Sequence, residues 1–279
     1  MRPKPITYHS PKTVERALEL LSAHSMVLNG GQAIIPTLRM RVVNPLALVD
    51  IKGIPELSST VEVADTGIRV GPRVTIDRLM NWPGIAEVAP VLREAGAALA
   101  DAQIRAQGTA VGSLCWADPR ANYPVAFLAL KAVVSAVGSK GRRDIEIDDF
   151  FAGYRANVLQ DELVMSVTCP GTTRLGFSTY REFSRQINDV CIVNIAVSEV
   201  DGELRVAVGG LDKRPQLVPS AAGVMANLEE PATSEAFMAA LSTRPVAPIE
   251  DGQGSPEFKL ALIAELLVEI AAEYREAKA

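Results

Sequence analysis

Apolar residues at positions 14, 17, 18 and 21 follow Ser10 and Pro11, a cap residue and a proline at a first helical position. They predict an amphipathic helix over residues 10–21. A short apolar run, Met26-Val27-Leu28, stops at Asn29-Gly30-Gly31-Gln32 before helical spacing resumes over residues 33–40. The pattern reads as a strand running into a Gly-Gly loop. Residues 46–51, 60–64 and 67–70 are short and rich in branched side chains, with a hairpin turn at Asp65-Thr66-Gly67. Residues 75–80 and 84–99 read as helices, 105–113 as a second loop, 125–132 as a buried helix and 132–137 as a buried strand. Strands at 143–147 and 162–169 complete this half, and Pro170-Gly171-Thr172-Thr173 reads as a linker.

Beyond the linker the pattern changes to three longer strands, at 176–183, 190–200 and 203–208, the last two joined by the hairpin signal Asp201-Gly202. Helices are predicted at about 218–227 and 233–241. A last helix opens at Ser255-Pro256-Glu257 and carries apolar residues at 258, 262, 263, 266, 267 and 270. Residues 243–254 read as a loop. The layout is α+β, with a boundary at 172/173.

With 279 residues, 48% of them hydrophobic and 22% charged, the chain has the composition of a globular protein with a substantial core. The net charge of −5, with no long run of Lys or Arg, argues against a nucleic-acid partner. Three scattered cysteines and two histidines near the N-terminus cannot supply a zinc or iron–sulfur spacing, and they suit a reducing compartment. The polar, proline-bearing start does not read as a signal peptide, and the longest apolar stretch carries Lys131 and is too short for a bilayer. The expected location is the cytoplasm.

The Asn29-Gly30-Gly31-Gln32 loop can turn backbone N–H groups toward an anion, because glycine tolerates positive φ and has no Cβ to block close approach. A plain turn is the alternative reading of the same residues. The second loop, Gly108-Thr109-Ala110-Val111-Gly112-Ser113, repeats the theme of small residues with a hydroxyl, and two such loops could hold the two phosphates of one pyrophosphate. Neither a Gly-x-Gly-x-x-Gly fingerprint after a strand nor a Gly-Lys-Ser/Thr loop is present, so a Rossmann or Walker nucleotide site is not supported.

The run Asn29-Gly30-Gly31-Gln32-Ala33-Ile34-Ile35-Pro36, the stretch Ala100-Asp101-Ala102-Gln103-Ile104-Arg105, the second loop, Asp118-Pro119, and Arg185 with Asp189 together resemble the FAD-binding medium subunit of the molybdenum hydroxylases, the xanthine, carbon monoxide and nicotine dehydrogenase family. The resemblance covers essentially the whole chain. It implies a two-subdomain FAD-binding domain of the vanillyl-alcohol-oxidase (PCMH) type over residues 1–172, divided at about 55/56. A small α+β domain with a three-stranded antiparallel sheet and helices would follow over 173–279. Its first pyrophosphate loop falls on Asn29, Gly30, Gly31, Gln32 and Ala33, with Leu28 and Ile34 packing beside the cofactor, and Ala100 falls on a further cofactor position. Its second loop falls on Thr109, Gly112 and Ser113.

The sequence departs from the family in four places. Val111 stands where a glycine is usual, Ser113 where an asparagine is usual, Asn122 where an aspartate contacts the adenosine ribose, and Glu182 where a lysine is frequent. Val111 is poorly suited to positive φ. The resemblance assigns Arg181 to replace the missing positive charge, places Leu163 against the flavin ring or in an ordinary strand core, and leaves Arg185 and Asp189 as cofactor residues or as an ion pair.

The resemblance further implies that organic chemistry occurs on a large molybdopterin subunit, that electrons pass through a small 2Fe-2S subunit, and that FAD here delivers them to an external acceptor. No residue of this chain is assigned as a catalytic acid, base or metal ligand. The expected assembly is a dimer of heterotrimers. A structural subunit of the same complex with weak or no FAD binding is the alternative.

Overall fold

A computed structural model describes residues 4–64, 67–170, 175–227, 229–243 and 250–279. The expected domain boundary at 172/173, the tip of the hairpin at 65–66 and much of the expected loop at 243–254 lie outside these residues.

The first unit contains β1 (Thr7–His9), α1 (Val14–Leu20), β2 (Ser25–Leu28), α2 (Ile34–Arg39) and β3 (Ala47–Asp50). Thr13, rather than Ser10, caps α1: its extended backbone lets Oγ1 accept the Arg16 N–H at 3.2 Å, so the helix starts three residues later than the proline suggested. The strands are parallel in the order β1-β3-β2, with Leu28 opposite Asp50. That register brings the carboxyl ends of β2 and β3 side by side, the edge of a parallel sheet where ligands characteristically bind.

The second unit opens with the hairpin β4 (Val61–Ala64) and β5 (Gly67–Val70) and continues through α3 (Ile76–Met80), α4 (Ile85–Val88) and α5 (Pro90–Ala98). The single helix expected over 84–99 is broken at Ala89, which sits at φ −156° and ψ 74°. Pro90 lacks the N–H that would continue the ladder and disfavours helical backbone in the residue before it.

Next come α6 (Ala102–Gln107), α7 (Ala110–Trp116) and α8 (Asn122–Ala129). The loop expected over 105–113 is therefore helical except at Gly108 and Thr109. Asp101 caps α6 by accepting the Ile104 N–H at 2.8 Å, and Thr109 caps α7 by accepting the Gly112 N–H at 3.0 Å. Val111 lies inside α7, 2% exposed and without positive φ, so its branched side chain is a core residue rather than a strained loop residue. All eight residues of α8 are buried, as an apolar helix without a polar face requires.

The unit ends with β6 (Val133–Gly138), β7 (Gly141–Glu146), the small hairpin β8 (Phe151–Gly153) and β9 (Ala156–Asn157), and β10 (Leu163–Cys169). Its main sheet is antiparallel, in the order β4-β5-β10-β6-β7. Leu163 packs with Val14, Val49, Ile54 and Leu57, joining this sheet to the first unit.

The C-terminal unit contains β11 (Leu175–Phe183), β12 (Val193–Val200), β13 (Glu203–Gly209), β14 (Gln216–Leu217), α9 (Pro219–Ala226), α10 (Ser234–Ser242) and α11 (Pro256–Lys278). Its antiparallel sheet has four strands rather than three, because Gln216 pairs with Val208 and Leu217 with Ala207. Two residues are too few to show an alternating pattern. Asp201 at φ 53° and Gly202 at φ 79° supply the two left-handed positions of a tight hairpin turn. Ser255 caps α11 by accepting the Phe258 N–H at 3.2 Å, and Ile263, Leu267 and Ile270 enter the core beneath the sheet. On the sheet's other side Tyr180, Ala196 and Ala207 join the cluster around α8. That helix therefore ties the C-terminal unit to the second.

Candidate functional site

The two bends singled out by the sequence touch. A Cβ added to Gly30 would stand 2.2 Å from the Gln107 carbonyl oxygen and 2.9 Å from Gly108 Cα, so only glycine permits this approach. Gly31, at φ +75°, turns the chain out of β2 toward α2. Asn29 Nδ2 donates to the Pro72 carbonyl at 2.7 Å and to Thr109 Oγ1 at 3.1 Å. Gln32 Nε2 donates to Gln107 Oε1 at 3.2 Å, and Ile76 N–H donates to the Gly108 carbonyl at 2.8 Å.

Beside this contact lies a cleft of about 360 Å³ lined by Asn29, Gly30, Lys52, Ser59, Arg73, Thr75, Ala106, Gln107 and Thr109. The lining carries two cationic side chains, three hydroxyls and two side-chain amides, and no carboxylate. Such a donor set suits an anionic group, and the volume falls within the usual range of ligand pockets, about 300–1,000 Å³. The residues present therefore fit the diphosphate portion of FAD.

Behind the cleft, Lys52 Nζ pairs with Asp50 Oδ2 at 2.8 Å and donates to the Asn29 carbonyl at 3.3 Å. Tyr8 OH donates to the same Asp50 oxygen, and the Lys52 N–H donates to Asp50 Oδ1 at 2.9 Å. Burial by itself would raise the Asp50 carboxyl, but the bonds from Lys52 and Tyr8 outweigh it and hold the group below its ordinary value. Arg73 NH1 donates to the carbonyls of Lys52 and Ile54 at 2.9 and 2.7 Å, tying down the segment that follows β3.

The remaining sequence-predicted residues have varied placements. Leu28 and Ile34 are buried with Leu38 and Leu48 under the first bend. Ala33 precedes α2 without a side-chain cap. Ala100 sits at φ 45°, its carbonyl accepting from Arg105 NH1 at 2.8 Å. Gly112 and Ser113 belong to α7, where their amides bond to Thr109. Leu163 is 2% exposed in the core between the first two units.

Asn122, 7% exposed, donates to the Ala95 carbonyl and to Glu182 Oε2, both at 3.0 Å. Tyr180 OH bonds the same Glu182 oxygen at 2.7 Å, and burial pushes the Glu182 carboxyl above its ordinary value. Arg181 pairs with Glu273 at 2.6 Å and Glu94 at 3.6 Å, on the C-terminal sheet. Arg185 donates to the Gln253 carbonyl at 2.6 Å, and Asp189 accepts the Val190 N–H at 2.7 Å. No ion pair joins Arg185 to Asp189 among the described residues. The structure thus brings Asn29, Gly30 and Thr109 into one cleft, while Arg181, Arg185 and Asp189 are not among the residues lining it.

Sequence reasoning missed Lys52 and Arg73. The available signal was the βαβ order of the first unit: strands ending at Leu28 and Asp50 in parallel place the residues just beyond them on one edge. Cys115 and Cys169 are free, their thiols pushed up to about 12 by burial, and Cys191 is likewise free and raised. Among the described residues no group of three or more His, Cys, Asp or Glu side chains is placed to hold a metal ion. No helix among them is long and apolar enough to cross a membrane.

Comparison with known proteins shows the family. A family model described as the FAD-binding domain in molybdopterin dehydrogenase matches residues 4–172, and the CO dehydrogenase flavoprotein C-terminal domain matches residues 178–274. The chain is 36% identical over 271 residues, 94% of each chain, to the nicotine 6-hydroxylase medium subunit of Paenarthrobacter nicotinovorans. It is 27% identical over 278 residues, 96% of each chain, to the carbon monoxide dehydrogenase medium chain of Hydrogenophaga pseudoflava. Among solved structures, a chain of reconstituted CO dehydrogenase from Oligotropha carboxidovorans matches with a TM-score of 0.88 at 26% identity, covering 100% of both chains. With both halves matched and relatives aligned nearly end to end, the chain belongs to the family of FAD-binding medium subunits of the molybdopterin dehydrogenases.

Proposed function

We propose that this chain is the flavoprotein subunit of a cytoplasmic molybdenum hydroxylase. It works with a large molybdopterin subunit and a small 2Fe-2S subunit in a dimer of heterotrimers. The observation that carries the reading is the contact between the bends at 29–32 and 107–109 beside a cleft lined by cations and hydroxyls and free of carboxylates. FAD, when bound, supplies the means to accept electrons singly from an iron–sulfur partner and to pass them on to an external acceptor.

The chain's own part is placement. Gly30 lets the first bend lie against the second, Gly31 at φ +75° turns the chain into it, Asn29 locks the two together through Thr109, and Thr75 and Thr109 line the cleft with Lys52 and Arg73. The domain division at 172/173 and the cofactor roles of Leu28, Gln32, Ala33, Ile34, Ala100, Gly112, Ser113, Asn122, Leu163, Arg181, Arg185 and Asp189 belong to the same proposal. They rest on the resemblance of the sequence to the family.

The test is co-expression with a large molybdopterin subunit and a small 2Fe-2S subunit of the same organism, followed by flavin, molybdenum and iron analysis of the purified complex. One FAD per medium subunit, lost on mutation of the first bend, is the expected result. A colourless subunit that still assembles with metal-loaded partners overturns the proposal in favour of a structural role.

A further inference from the structure

We propose that Lys52 is a diphosphate-binding residue of the cofactor cleft and that Asp50 and Tyr8 are positioning residues that aim it. The inference rests on the reading that the cleft receives FAD, and it adds a cationic ligand that neither glycine-bearing bend supplies.

Three observations converge on Lys52. It lines the cleft together with Asn29, Gly30 and Thr109, so its ammonium stands beside both bends. Its side chain is 54% exposed whereas that of Asp50 is 6% exposed, so the cation faces the opening and the carboxylate lies behind it. The ammonium is also tethered: Nζ is 2.8 Å from Asp50 Oδ2 and 3.3 Å from the Asn29 carbonyl. An ammonium has three donors, and these two contacts leave one for an anion in the cleft.

The support is rigid, because Asp50 ends the central strand of the parallel sheet and accepts from Tyr8 OH as well as from the Lys52 backbone. A lysine otherwise loses considerable side-chain freedom on binding an anion; a tethered one has lost it beforehand. Arg73, by donating to the Lys52 and Ile54 carbonyls, restrains the backbone that carries the ammonium. A diphosphate meeting this arrangement gains a charge-assisted hydrogen bond in a partly desolvated setting.

The test uses the full chain freed of flavin and titrated with FAD by fluorescence at several salt concentrations, with inorganic pyrophosphate as competitor. Lys52→Gln is expected to weaken FAD binding about tenfold, to flatten its salt dependence and to blunt competition by pyrophosphate. Lys52→Arg is expected to stay within about threefold of the parent chain. Tyr8→Phe is expected to cost about threefold in the parent background and nothing further in the Lys52→Gln background, the signature of action through Lys52.

If Lys52→Gln binds FAD as tightly as the parent, with the same salt slope, Lys52 is not a ligand and the proposal fails while the cleft assignment stands. If the parent chain itself binds no FAD, the cleft assignment fails first. Lys52→Met carries the same comparison should the glutamine variant not fold.

Discussion

Gly30→Ala tests the contact on which the cofactor site depends. The added methyl would stand 2.2 Å from the Gln107 carbonyl oxygen, against 3.4 Å for the near edge of ordinary contact, so the two bends must separate by about 1.2 Å. Neither atom in the way belongs to a flexible side chain; both Gln107 O and Gly108 Cα are backbone. Separation on that scale stretches the Asn29–Thr109 and Gln32–Gln107 hydrogen bonds, now 3.1 and 3.2 Å, beyond useful length. Overpacking typically costs about 1–3 kcal/mol and each net hydrogen bond about 1 kcal/mol. Because relaxing the clash is what breaks the bonds, the terms overlap, and the expected loss is about 2–4 kcal/mol. That is a large share of a typical stability of about 5–15 kcal/mol.

Urea unfolding should show the loss as a lower midpoint at unchanged slope, and the purified variant should carry little flavin. Gly223→Ala is the control: the position lies in α9 with nothing within 4 Å of an added Cβ, so the midpoint should hold or rise slightly. If Gly30→Ala unfolds at the parent's urea concentration and retains its flavin, the bends do not meet in the folded protein and the site collapses as an idea.

Other perturbations probe neighbouring parts of the argument. Val111→Gly removes a helical side chain that is 2% exposed, and should cost about 2–3 kcal/mol in thermal or urea unfolding from lost burial and helix propensity; a variant as stable as the parent would mean that α7 does not begin where it does here. Gly31→Val places a branched residue at φ +75°, and should cost about 1–2 kcal/mol and lower the flavin-to-protein ratio. Unchanged occupancy would remove the first bend from the cofactor site.

Burial raises the Glu182 carboxyl, so the folded state holds that proton more tightly than the unfolded chain does. This contribution favours folding at acid pH and declines as pH rises from the ordinary carboxyl range through the raised value. Glu182→Gln should therefore flatten the stability profile over that window, and an unaltered slope would show that Glu182 is not the group responsible.

Local chemistry made much of this protein legible in one dimension. The amphipathic spacing of α1 and α11, the Asp201-Gly202 turn and the apolar run Val125–Ala129 of α8 each depend on residues within a few positions of one another. The Gly-Gly bend after β2 is legible for the same reason. The small residues at 108–113 misled, since Gly, Thr and Ser favour loops on propensity alone, yet Thr109 in the cap position turns most of that stretch into a helix.

What decides the site is separated far along the chain. Asn29 meets Thr109 across 80 positions, Tyr8 meets Asp50 across 42, and Asn122 meets Glu182 across 60. No periodicity encodes such meetings. They follow from a parallel sheet that aligns the ends of β2 and β3, and from a bend packed so closely against the end of α6 that only a glycine fits between the backbones. Propensity and pattern thus set which short segments are helix, strand or bend, whereas the side-chain partners that make a cleft cationic arise only when packing brings those segments together.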